Sequence, residues 1–136
     1  MSYPITDIDG IDGYAATILK TAGIRSTERL LEAARTVRGR KMLAIKTGFD
    51  EKQLLCWANV ADRMRIKGIR KEYAELLQAA GVDTVKELKY RNPGNLAKAM
   101  AEANKKRKMV RLLPSEKVVG TWIENAKKLQ LKISYK

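Results

Sequence analysis

The chain contains no histidine and a single cysteine, Cys56. Without histidine the usual general base is missing, and with it every His-dependent catalytic triad. One cysteine and no histidine leave too few soft ligands for a structural zinc site. A lone thiol forms no internal disulfide, so the fold needs no oxidising compartment. No stretch is apolar enough to cross a bilayer, and the N-terminus lacks the basic-then-apolar pattern of a secretion signal. A cytoplasmic protein without a membrane partner is expected. Phosphate-cradling Walker A and dinucleotide-binding glycine patterns are absent as well.

What the chain has in abundance is positive charge: 28 Lys and Arg against 15 Asp and Glu, a formal +13 over 136 residues. The excess is uneven. Residues 1–62 carry nine basic and eight acidic side chains, a net +1, whereas residues 63–136 carry nineteen and seven, a net +12. Such asymmetry bears on partners rather than on fold. Nucleic acid is the leading polyanion, with an acidic protein or membrane surface behind it. The length suits one compact domain, or two small units packed as one.

The sequence also repeats itself, and repeats must be found before a fold is proposed. IDGIDG at 8–13 returns, recharged, as IKGIRK at 66–71. Gly10, Ala16, Leu19, Ala22, Gly23 and Leu30 stand 58 positions before Gly68, Ala74, Leu77, Ala80, Gly81 and Leu88. Further on, Asp50-Glu51-Lys52 aligns with Ser115-Glu116-Lys117, and Trp57 with Trp122, at a separation of 65. The change from 58 to 65 places seven extra residues in the second copy, near Asn92 to Arg111. The expected fold is all-α, with about eight helices in two pseudo-repeated units, 1–65 and 66–136, packed as one compact domain.

Helix boundaries follow from periodicity and capping residues. Ala16, Leu19 and Ala22 recur at helical spacing, with Gly23 as the stop. Ser26 or Thr27 caps the next helix, and residues 38–47 form a third, closed by Gly48. Asp50 with Gln53, and Thr84 with Glu87, have capping-box spacing. Leu54, Trp57, Ala58, Ala61 and Met64 define one apolar face; Cys56, in the same helix, is expected in the core. A second helix from Lys71 ends at Gly81, Asn92-Pro93-Gly94 marks a break, and Pro114-Ser115 starts the last helix. Val118, Val119, Trp122, Ile123, Ala126 and Leu129 make its expected buried face. Both Trp residues are expected to pack in the core rather than stack on bases. The terminal LQLKISYK alternates as a short strand would, over too short a span to assign.

Residues 8–24 and 66–82 resemble helix-hairpin-helix motifs, whose pattern is an apolar-Gly-apolar-Gly turn, an alanine, a paired aliphatic step and a closing Gly-aliphatic. ILKTAGIRSTERL (18–30) and LLQAAGVDTVKEL (76–88) carry the later part of that pattern. As a whole the chain resembles an uncharacterised bacterial family of tandem helix-hairpin-helix proteins, and the resemblance implies a DNA-binding role. It also implies that each hairpin grips a phosphate through N–H groups at the start of its second helix. The physics supports such a grip, because unsatisfied N–H groups and the positive end of a helix favour an anion. Asp12 and Arg70 depart from the motif by standing where its second glycine belongs.

The two copies therefore differ in what they offer an anion. Gly68, Ile69 and Arg70 are flanked by Arg63, Arg65, Lys67 and Lys71, all expected at phosphates. Asp7, Asp9 and Asp12 crowd the first turn, which is expected to be structural or to face a protein partner. The densest basic run, Lys105-Lys106-Arg107-Lys108 with Arg111, is expected to extend the contact surface. Arg35, Arg38, Arg40 and Lys41 either continue that track or solubilise a helix. No acidic residue stands in a glycosylase or nuclease signature, so no catalytic residue, cofactor or metal is expected. The reading is a non-enzymatic protein that binds duplex DNA without strong sequence preference. A protein-interaction or scaffold module and RNA binding remain the alternatives.

Overall fold

A computed structural model describes residues 2–136. Among them lie eight α-helices and a short 3-10 turn at Ile5–Asp7, with no strand beyond an isolated bridge between Pro4 and Ser26. The helices are α1 (Gly13–Thr21), α2 (Thr27–Ala34), α3 (Val37–Thr47), α4 (Glu51–Arg63), α5 (Lys71–Ala79), α6 (Val85–Lys89), α7 (Pro93–Lys106) and α8 (Glu116–Lys128). No helix of the described residues is long and apolar enough to cross a membrane.

Side-chain caps explain where most helices begin. Asp12 accepts from the Ala15 N–H at 2.8 Å, Ser26 from Arg29, Thr36 from Gly39, Asn92 from Asn95 and Ser115 from Val118. Each cap occupies one of the first-turn donors that a helix cannot satisfy internally. Thr84 and Glu87 form the expected reciprocal capping box. Asp50 and Gln53 do not: Asp50 caps α4 through the Lys52 N–H instead, leaving Gln53 exposed. Thr27 is not a cap either, being buried with its hydroxyl accepting from the Tyr3 N–H.

α1 and α5 end alike. Gly23 and Gly81 take φ of +87° and +96°, which lets the Ile24 and Val82 N–H groups turn back onto Leu19 and Leu77 carbonyls at 2.8 and 2.9 Å. Only a residue without Cβ adopts that conformation at little cost.

The core is assembled against α4 and α8. α2 and α3 pack on α4, while α6 and α7 pack on α8, and α4 also touches α5 and α6. Leu54, Trp57, Ala58 and Ala61 face inward from α4, and Val119, Trp122, Ile123 and Ala126 from α8. Burying one indole is worth about 4–6 kcal/mol from its area alone. Two expected core residues lie outside it. Cys56 is exposed because it sits two residues from Leu54, on the far side of the helix from the apolar stripe. Val118 is 42% exposed at the margin of the α8 face.

Buried arginines add long-range ties. Arg40 donates to the Ala34 carbonyl at 2.8 Å and to the Ser134 carbonyl at 2.7 Å. It is therefore an anchor inside the fold, neither part of a basic track nor a solubilising surface group. Arg65 reaches the Gln130 carbonyl, and the Tyr135 hydroxyl donates to Asn59. Together these bonds lay residues 130–135 back across the N-terminal helices.

Candidate nucleic-acid interface

The turns before α1 and α5 have the same backbone form. Ile11 N–H bonds to Ile8 O, and Ile69 N–H to Ile66 O. Gly10 and Gly68 hold φ of +91° and +93°. Each glycine lies over a tryptophan: a Cβ there would come within 3.4 Å of Trp57 Nε1 or 3.1 Å of Trp122 Nε1. The backbone angle favours glycine at both turns, and at Gly68 the closer indole adds a steric reason. Both indoles are 3% exposed, so they support the turns from the core and offer no stacking surface.

The two helix starts differ in chemistry. At α1 the Asp12 carboxylate already occupies a first-turn donor and brings a negative charge to the positive helix end. At α5 the capping position is Arg70, which makes no side-chain hydrogen bond to the helix start. Lys67, Gly68, Arg70 and Lys71 are exposed around it, and Ile69 is buried beneath. Arg70 is also drawn to the first turn: its guanidinium donates to Asp7 at 2.8 Å and lies 4.4 Å over the Tyr3 ring. The basic turn and the acidic turn are therefore in direct contact, a relation no local pattern reveals.

Two of the expected phosphate ligands face inward. Arg63 is 1% exposed, with Nη1 on the Asp83 carbonyl and with Nε and Nη2 lacking partners. Burial, opposed chiefly by Asp83, lowers its pKa. Arg65 grips Asp62 at 2.6 Å and the Gln130 carbonyl at 3.0 Å. Burial pushes the Asp62 carboxyl upward more than that guanidinium pulls it down. Arg63 is sealed from solvent and Arg65 is committed to internal bonds. Both belong to the folding framework and leave the candidate surface.

Lys105, Lys106, Arg107, Lys108 and Arg111 are all exposed. The first two end α7, and the others lie in the irregular segment before α8. Asn104 shapes that segment: its carbonyl oxygen accepts from Met109 and Val110 N–H groups at 2.8 and 3.0 Å, and its amide donates to Val110 O. The Tyr73 hydroxyl donates to Leu112 O, tying the same segment to α5. α7 also packs directly on α5. Glu75, on α5, marks where these parts meet. Burial and then the Asp9 carboxylate push its pKa up, while Lys71 and Arg107 pull it down. Both basic groups thus lie within electrostatic reach of one carboxyl. Asn104, Tyr73 and Glu75 were not evident beforehand; a poor helix former near the end of α7 was the only hint of Asn104.

Among the described residues no three His, Cys, Asp or Glu side chains gather as metal ligands. The molecule is an all-α protein with an exposed basic surface around an uncapped helix start. The chain belongs to a protein family described as a domain of unknown function (DUF4332), whose model matches residues 9–129. No curated protein and no solved structure matches it.

Proposed function

We propose that the chain is a pair of helix-hairpin-helix units, 1–65 and 66–136, that binds duplex nucleic acid through backbone phosphates and performs no catalysis. DNA is the favoured form. The contact surface is the second turn, with Lys67, Gly68, Arg70 and Lys71 above the buried Ile69, extended by Lys105, Lys106, Arg107, Lys108 and Arg111. The observation that carries the reading is the contrast between the two helix starts. α5 presents first-turn N–H groups beside exposed cations, without a side-chain cap; α1 has a carboxylate in that place. Phosphate contacts of this kind position a protein without reading bases.

Fluorescence anisotropy with a labelled duplex at two salt concentrations tests the proposal. Each phosphate contact contributes about 0.9 to the slope of log affinity against log salt. Changing Lys67, Arg70 and Lys71 together to Ala is expected to weaken binding strongly and to flatten that slope by up to about three. Asp9→Asn with Asp12→Asn is expected to change little, because Asn caps a helix as well as Asp does. Equal losses in both variants, or binding indifferent to salt, overturn the assignment. Competition between DNA and RNA duplexes decides which form is preferred.

A further inference from the structure

A second surface in the N-terminal half shares no residue with the α5 start. Between the end of α1 and the helices α2 and α3 runs an open groove of about 720 Å³. Ala22, Ile24, Ala33 and Leu43 line it, together with Met42 and Ile45, which are 61% and 87% exposed. Large apolar side chains this exposed and this close together mark an interaction site more often than chance. Gly39 helps to form the groove. A Cβ there would stand 2.3 Å from the Ala33 carbonyl oxygen, so its absence lets α3 close on α2.

The other half of the chain suggests what is missing. On the paired architecture proposed above, α5 and α7 correspond to α1 and α3. α5 packs against α7, and Tyr73 ties the following segment down. α1 and α3 do not pack to a comparable extent, and the groove lies between them. The second half covers with its own chain what the first half leaves open to another helix.

Charge selects the kind of helix. α3 carries Arg38, Lys41 and Lys46 on its exposed surface and contains no acidic residue. Arg29 adds a cation from α2, and the one acid lining the groove, Glu32, already has Arg35 and Lys132 at 3.6 and 3.9 Å. A second copy of this chain fits poorly, since a two-fold contact would set this cationic rim against itself. Nucleic acid finds few polar partners in an apolar lining. We infer that the groove docks an acidic amphipathic helix from a partner protein, its apolar stripe on Met42 and Ile45 and its carboxylates beside Arg29 and Lys46. Such helix-in-groove binding is read by anchors at i, i+3 and i+4, and the flexible Met42 adapts to the side chain it meets.

The test pans the full chain against displayed helical peptides that share a fixed apolar stripe and have a randomised polar face. Enrichment of Asp- and Glu-rich faces is expected. Anisotropy on the enriched peptides should show a loss of about tenfold or more in Ile45→Glu, the effect of exposing one large apolar contact. Lys46→Glu should weaken the acidic peptides and admit basic ones. Both side chains are exposed, and an unchanged melting temperature verifies folding. Duplex affinity should be unaltered in Ile45→Glu, which separates this groove from the phosphate-binding surface. Enrichment of basic faces, or peptide binding indifferent to both substitutions, overturns the inference. So does self-association abolished by Ile45→Glu, which assigns the groove to a second copy. Anionic-vesicle binding lost in that variant without any peptide enrichment assigns it to a membrane instead.

Discussion

Replacing Asp7 by Asn should strengthen nucleic-acid binding, although the substitution lies in the half with little net charge. Asp7 holds Arg70 at 2.8 Å, with 61% of the arginine side chain and 26% of the aspartate side chain exposed. A pair this open to solvent is worth about 0.2–1 kcal/mol. Arg70 must give up or share that bond to reach a phosphate, so removing the carboxylate's charge should raise affinity by about 1.4- to 5-fold. The gain should shrink as salt rises, because screening weakens both the internal pair and the phosphate contact. Anisotropy on wild type, Asp7→Asn, Arg70→Ala and the double variant gives a complete cycle. Asp9→Asn serves as the control for merely removing a negative charge nearby. The coupling predicts a gain in the Arg70 background and almost none in the Arg70→Ala background. A gain of equal size in both, or no gain in either, refutes the competition between Asp7 and phosphate for Arg70.

Three further outcomes follow from the same contacts. Gly10→Ala and Gly68→Ala should each destabilise the chain by about 1 kcal/mol or more in denaturant titrations, with the larger loss at Gly68, whose Cβ would lie nearer its indole. Asn104→Ala removes three hydrogen bonds that shape the basic segment. It should lower duplex affinity while leaving all its cations in place, a result that circular dichroism and anisotropy together would establish. Burial, and then the Asp9 carboxylate, raise the pKa of the folded-state Glu75 carboxyl above its ordinary value. The folded state therefore holds that proton more tightly than the unfolded chain, and its contribution to stability declines as pH rises from about 4.5 through the folded pKa. Melts across this window should fall less steeply for Glu75→Gln than for wild type; parallel curves would contradict the assigned environment.

Much of the helix pattern was legible because its signals are local. Ser26 and Ser115 cap helices where short polar side chains precede apolar periodicity, and Gly23, Gly48 and Gly81 end them at positive φ. At Cys56 helix geometry overrides the general tendency of cysteine to be buried, because a position two residues from Leu54 is far from the α4 stripe. The arginines were not legible. Arg40, Arg63 and Arg65 resemble Arg70 and Arg107 in sequence, yet carbonyls of Ser134, Asp83 and Gln130, from 20 to 94 positions away, draw the first three inward. Burial of a long cationic side chain is decided by such distant acceptors. The Arg70–Asp7 contact has the same origin, since 63 positions separate its partners. Local chemistry therefore distinguished the two turns, whereas their apposition required the packed helices.

The return of residues 130–135 onto the N-terminal helices also bears on kinetics. Arg40 meets Ser134 across 94 positions and Asn59 meets Tyr135 across 76, while the helices beneath rely on bonds between near neighbours. Closing loops of that length is entropically slow, and the contacts that close them are rewarded only after the α4 platform exists. They should form after the rate-limiting barrier. Weakening them with Tyr135→Phe should then leave the refolding limb of a chevron in place and raise the unfolding limb, making this segment a determinant of how long the native state lasts rather than how quickly it is reached.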